Sequence, residues 1–151
     1  MKMHNSTLIY LENAQGEYLM LHRVKKAVDV NKDKWIGVGG KFEEGESPDE
    51  CALREVREET GLTIMAPRLC GLKQFPLDNG GRYIVMLYRA DRFSGELTSS
   101  EEGRVFWMKR EDLERARLPV SFAETLQVFE DETLGEHYCR WEDGVFKRNV
   151  L

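Results

Sequence analysis

The chain has 151 residues, 41% of them hydrophobic, which suits one domain over 1–151 with a proper core and leaves little room for a second. Its formal net charge of −5 does not favour stable nucleic-acid binding, so an anionic partner has to be met locally by a few basic side chains or a bound cation. Cys51, Cys70 and Cys139 are odd in number and lack CxxC spacing, which argues against a disulfide framework or a zinc site, while the polar start MKMHNST and the absence of a long apolar run make the cytoplasm, with no membrane partner, the expected location.

Leu8 to Leu11 and Tyr18 to His22 read as strands joined through a turn ending at Gly16, and the charged stretch from Arg23 to Lys34 predicts an exposed loop before Trp35. A short helix is well signalled next. Ser47 suits the N-cap, Pro48 the first helical position and Glu50 the capping box, and Gly61 supplies a left-handed stop. Ala52, Leu53, Val56 and Thr60 share one arc and should face the core, with Glu55, Glu58 and Glu59 on the adjoining arc. Leu69 to Phe75 reads as a strand, Asp78 to Gly81 as a turn, and the apolar run Tyr83 to Tyr88 as a strand buried on both faces. A strand at Val105 to Met108 precedes helical patterns at Glu111 to Ala116 and Ser121 to Glu130. A hairpin pairs His137 to Trp141 with Val145 to Val150 around Glu142-Asp143-Gly144. The class is α/β, a mixed sheet between helices, without repeats or low-complexity segments.

The three glutamates crowd the closing turns of the helix, where the macrodipole disfavours each anion by roughly 0.3 to 1 kcal/mol. Glu55 and Glu59, four residues apart, add like-charge repulsion of about 0.2 to 0.5 kcal/mol. Such penalties point to a cation, and a hard divalent ion such as Mg²⁺ suits a few converging carboxylates. A solvated acidic face is the alternative on this cluster alone. A structural Ca²⁺ site is a weaker one, because no EF-hand spacing is present.

The wider spacing decides between them. Gly40, Glu46, Arg54, Glu55, Val56, Glu58, Glu59, Gly61 and Leu62 satisfy G-x5-E-x7-R-E-U-x-E-E-x-G-U, with U a bulky aliphatic residue, at every specified position. Residues 40–62 therefore resemble the Nudix box, the signature of hydrolases that cleave a nucleoside diphosphate linked to another group. The resemblance implies the α/β/α sandwich of the Nudix fold. It also implies that Glu55, Glu58 and Glu59, helped by the carbonyl of Gly40, bind Mg²⁺ or Mn²⁺. One of these acids, most often the one at Glu55, orients or deprotonates the attacking water. Arg54 and Glu46 are implied to form an ion pair that fixes the arrangement, and a rigid guanidinium is physically suited to that task.

The segment LHRVKKAVDVNKDKWIGVGGK further resembles the MutT-like branch, which hydrolyses oxidised purine nucleoside triphosphates such as 8-oxo-dGTP to the monophosphate and pyrophosphate. That likeness implies a further metal-approaching carboxylate at Glu102, with Glu101 a rival. Arg23, Lys25, Lys26 and Lys41 are candidate phosphate contacts, and Trp35 either stacks on a base or belongs to the core. Ile36 after Trp35 departs from the mammalian pattern, which has Asn there, and LPVSFAE at 118–124 lacks the Asp pair that grips the base edge. Ordinary dNTPs, ADP-ribose, dinucleoside polyphosphates and nucleotide sugars thus remain alternative substrates. A non-catalytic nucleotide sensor is the alternative of a different class, and the oligomeric state, monomer or homodimer, stays open.

Overall fold

The computed structural model describes residues 2–23, 35–101, 103–116 and 121–151. In chain order the strands are β1 (Met3–Leu11), β2 (Tyr18–Arg23), β3 (Trp35–Ile36), β4 (Val38–Lys41), β5 (Thr63–Ile64), β6 (Arg68–Pro76), β7 (Arg82–Ala90), β8 (Phe93–Ser94), β9 (Gly103–Met108), β10 (Glu136–Glu142) and β11 (Val145–Val150). The helices are α1 (Pro48–Thr60), α2 (Arg110–Leu113) and α3 (Phe122–Glu130). Six strands form one mixed sheet in the order β11-β10-β6-β7-β1-β4, in which β1 runs parallel to β7 and β10 parallel to β6.

Successive residues of a strand face opposite sides, and β1 uses both. Ile9 and Leu11 meet Val38, Tyr88 and the α1 residues Ala52 and Val56 in one buried cluster. Tyr10 turns the other way, to Leu87, Phe122, Leu126 and Phe129. The mixed sheet between helices expected from the sequence is therefore present, with α1 and α3 on opposite faces.

Several local readings change. Strands β1 and β2 are joined through the expected turn, but β2 then leaves to form a three-stranded sheet, β3-β2-β9, with a Glu12 to Tyr18 bridge at the turn. Tyr83, Ile84 and Met86 are half-buried, so the Tyr83 to Tyr88 run is not enclosed along its whole length. On the α3 side a cleft opens beside Tyr83, while Ile84 and Met86 alternate to the α1 side of the sheet. Helix α2 is a single turn ending at Leu113, shorter than the Glu111 to Ala116 pattern, and Lys109 before it makes no side-chain cap. In α1, Leu53 is only half-buried whereas Cys51 and Glu59 are buried. Most of the loop read at Arg23 to Lys34 lies outside the described residues. Among those described, no helix is long and apolar enough to cross a membrane.

Candidate active site

Helix α1 begins and ends as its residues dictate. The Ser47 Oγ accepts from the Glu50 N–H at 3.2 Å, and the Ser47 N–H donates to the Glu50 carboxylate at 3.2 Å, closing the capping box. At the other end Gly61 adopts φ +79°, and its N–H bonds to the Arg57 carbonyl. Between these stops the buried stripe of Ala52, Val56 and Thr60 sets the rotation of the helix. That rotation points Glu55 and Glu59 at β4, the edge strand of the large sheet.

The contact with β4 is close. A Cβ placed on Gly40 would stand 2.5 Å from the carboxyl carbon of Glu55, so only glycine leaves room for that carboxylate. Glu59, 4% exposed, accepts the Gly39 N–H at 3.0 Å and lies within hydrogen-bonding reach of the Glu55 carboxyl. The sequence placed Glu59 beside the buried stripe; the backbone of β4 instead draws it inside, because its N–H supplies the donor that a buried carboxylate needs.

Arg54 organises the acids. Its Nε and Nη2 donate to Glu46 at 2.6 and 2.9 Å in a bidentate pair, and its Nη1 donates to Glu55 at 2.9 Å and Glu58 at 3.1 Å. Nη2 also reaches the Lys41 carbonyl at 3.0 Å, tying the helix to the end of β4. Hydrogen bonds from Arg54 hold Glu46 down at about 2, outweighing the desolvation that opposes them. Glu55 moves the other way: burial pushes its carboxyl above the usual range, partly offset by Arg54 and the Glu59 hydrogen bond. A carboxyl pushed up by burial and facing a second, buried carboxyl marks a place where positive charge is wanted.

These donors suit a divalent cation in type. Glu55, Glu59 and the backbone of Gly40 are brought together, all oxygen ligands, as a hard ion requires. Glu58 is more than half exposed and joins them through Arg54. The Gly40 carbonyl has the Thr7 hydroxyl at 3.4 Å and the Cys51 thiol at 3.5 Å on it, both weak contacts. Among the described residues no three acidic, His or Cys side chains already form a closed cage. Glu102 lies outside the described residues, as do Lys25 and Lys26, and Glu101 sits in an exposed turn.

A cleft of about 710 Å³ opens from this point, with Glu55, Arg54 and Glu43 at one part of its wall. Arg23 and Lys41 also line it, whereas Trp35 does not. Trp35 stacks on His22, with ring centroids 4.6 Å apart, and meets Phe106 edge-on, an arrangement that favours packing over base stacking. The rest of the wall went unread in the sequence: Lys73 and Phe75 of β6, Tyr83 and Val85 of β7, and Phe122 and Thr125 of α3. Alternation along β6 puts Lys73 and Phe75 on one face, but no local signal says which strands will flank them.

Known proteins share this architecture. The sequence matches the NUDIX domain family over residues 2–129. It is 35% identical over 92 residues to an uncharacterized Nudix hydrolase of Bacillus subtilis, a match covering 58% of this chain and 57% of that one. It is 37% identical over 75 residues to the oxidized purine nucleoside triphosphate hydrolase of Danio rerio, covering 49% and 48%. An ADP-ribose pyrophosphatase of Methanocaldococcus jannaschii is 30% identical over 107 residues, covering 70% and 57%. The chain thus spans about half the length of the curated relatives it matches. In fold it resembles the MutT protein of Bacillus halodurans, with a TM-score of 0.74, 23% identity and 97% of each chain covered. With its box carried on a capped helix against β4, and with the family match running through all but the last strands, this chain belongs to the Nudix family.

Proposed function

We propose that the protein is a Mg²⁺-dependent hydrolase of nucleoside polyphosphates, with an oxidised purine nucleoside triphosphate such as 8-oxo-dGTP as its leading substrate and the monophosphate and pyrophosphate as products. The observation that carries this reading is the placement of Glu55: half-buried, held by Arg54, set against Gly40 and open to a cleft with an aromatic far wall. Glu55, Glu58, Glu59 and the Gly40 carbonyl are the residues that would hold the cation. When bound, such an ion neutralises phosphate charge and acidifies a water.

The side chains supply the rest. Glu55, whose burial raises its proton affinity, accepts the proton of the water that attacks phosphorus, and the anhydride oxygen departs with the pyrophosphate. Arg54, anchored on Glu46, keeps that carboxylate in one position. Arg23 and Lys41 meet the phosphates, and the aromatic end of the cleft receives the base. The likeness to the Danio rerio hydrolase supports the oxidised purine, and the likeness to the Methanocaldococcus pyrophosphatase supports ADP-ribose as the second reading. A sensor without turnover is disfavoured, since all the carboxylates of the box are retained. A nucleotide-pool enzyme of this kind works in the cytoplasm and has no use for stable nucleic-acid or membrane contacts.

A panel of normal and oxidised dNTPs, ADP-ribose and dinucleoside polyphosphates, assayed with Mg²⁺ and with the products identified, tests the proposal. Glu55→Gln should reduce turnover by about 10²- to 10⁴-fold while the thermal midpoint stays near wild type. A variant with near wild-type rate ends the assignment. If 8-oxo-dGTP is turned over no better than dGTP, the oxidised-purine reading falls.

A further inference from the structure

Lys73 lies in the wall of the cleft away from the acid cluster, and no motif accounts for it. Across the large sheet it stands opposite Val85, Val85 opposite Ser6, and Ser6 opposite Lys41, so one row of side chains runs from Lys73 to the end of β4. Three strand-to-strand steps of about 4.8 Å put roughly 14 Å between the two lysine backbones, one at the acid end of the cleft and one at the aromatic end.

On the cleft side Lys73 meets aromatic rings, and behind it lie Glu124, His137 and Cys139. Its Nζ is 5.7 Å from the centroid of Phe75, which stacks on Tyr83 at 5.1 Å with the planes 6° apart. Phe122 and Thr125 of α3 approach from the facing side. The charged groups near Lys73 are engaged elsewhere or neutral. Glu124 pairs with Arg148 at 3.5 Å, and His137, which faces Lys73 across β10, is bonded to Thr125 and held neutral by burial. Among the described residues no carboxylate pairs with Lys73, and desolvation pulls its ammonium below the usual lysine range. A desolvated donor on the wall of an aromatic slot needs an acceptor from the ligand.

Resting on the nucleotide-hydrolase reading above, we propose that Lys73 is a specificity-determining residue: it donates a hydrogen bond to a carbonyl oxygen on the edge of a ring bound beside Phe75, Tyr83 and Phe122. A 6-oxopurine presents such an oxygen, whereas adenine presents an amino donor at that position and leaves the lysine unsatisfied. Sites built around one buried polar contact discriminate strongly against the analogue that lacks it.

The test compares wild type with Lys73→Met and Lys73→Arg in two assays with Mg²⁺. Equilibrium binding of deoxyinosine and deoxyadenosine monophosphates reads recognition without turnover. Steady-state hydrolysis of the two triphosphates reads the reaction. Wild type should favour the 6-oxopurine by about 10- to 100-fold in both Kd and kcat/KM, the latter through KM. Lys73→Met should remove that preference, leave the adenine nucleotide within about threefold and keep the melting midpoint, while Lys73→Arg retains part of the preference. Equal losses on both bases, or a wild type that does not favour the 6-oxopurine, overturn the proposal. Hydrolysis without discrimination sinks Lys73 and spares the hydrolase reading; discriminating binding without hydrolysis does the reverse.

Discussion

The pairing of Gly40 with Glu55 shows how little room the site has. Gly40 is extended backbone in β4 and needs no unusual φ; what excludes a side chain is the carboxyl group 2.5 Å from its would-be Cβ. Gly40→Ala should therefore push Glu55 aside, lowering kcat by about 10²-fold, the cost expected of an ångström-scale misplacement. Unfolding free energy should change by no more than about 1 kcal/mol, because the displaced carboxylate is a movable side-chain end. Turnover at the wild-type rate would mean that the position of Glu55 does not govern the reaction. The Arg54–Glu46 ion pair was implied by the resemblance of the box, and the structure shows the two side chains in a bidentate pair. The burial of Glu59 was not legible, since its donor comes from Gly39, twenty residues earlier in the chain.

At the level of elements, α1 was readable almost to the residue because its stops are local. Ser47, Pro48, Glu50 and Gly61 each act within one turn, and no distant contact is needed to place them. Ser47→Ala removes an acceptor for the Glu50 N–H and should cost about 1 kcal/mol in urea unfolding; a change within error would show that the packing of Ala52 and Val56 alone holds the first turn. Strands β3, β5 and β8 escaped notice for the opposite reason. Two residues carry no periodicity, and each exists only because a partner strand lies alongside. The turn between β1 and β2 was legible at Gly16, but a tight turn does not say which sheet receives its second strand.

Over the whole molecule, the layer between the sheet and α3 contains a buried polar cluster at the end of the cleft. His137 is bonded to Thr125 at 2.9 Å, has the Cys139 thiol at 3.5 Å, and faces Lys73, Glu124 and Arg148. Burial, with the Lys73 charge adding to it, lowers its pKa from 6.5 to about 4. The folded state thus binds this proton less readily than the unfolded chain. Its contribution to stability is complete above pH 6.5 and declines as pH falls towards 4. Urea unfolding of wild type and His137→Gln between pH 7 and 4 checks this. Wild type should lose stability relative to the variant over that interval, and a constant difference would place the acid sensitivity elsewhere.

The sequence by itself determined the box, the caps of α1, the amphipathic stripe of α3 and the closing hairpin, since each is written in residues a few positions apart and enforced by local sterics, hydrogen bonds or periodicity. The tertiary structure alone decided the cleft that opens from the box. Its wall draws on β1, β6, β7 and α3, and their meeting depends on parallel pairings and a strand order that local patterns do not encode. Lys73 acquires its meaning there, because desolvation is a property of everything around a side chain and not of its neighbours in sequence.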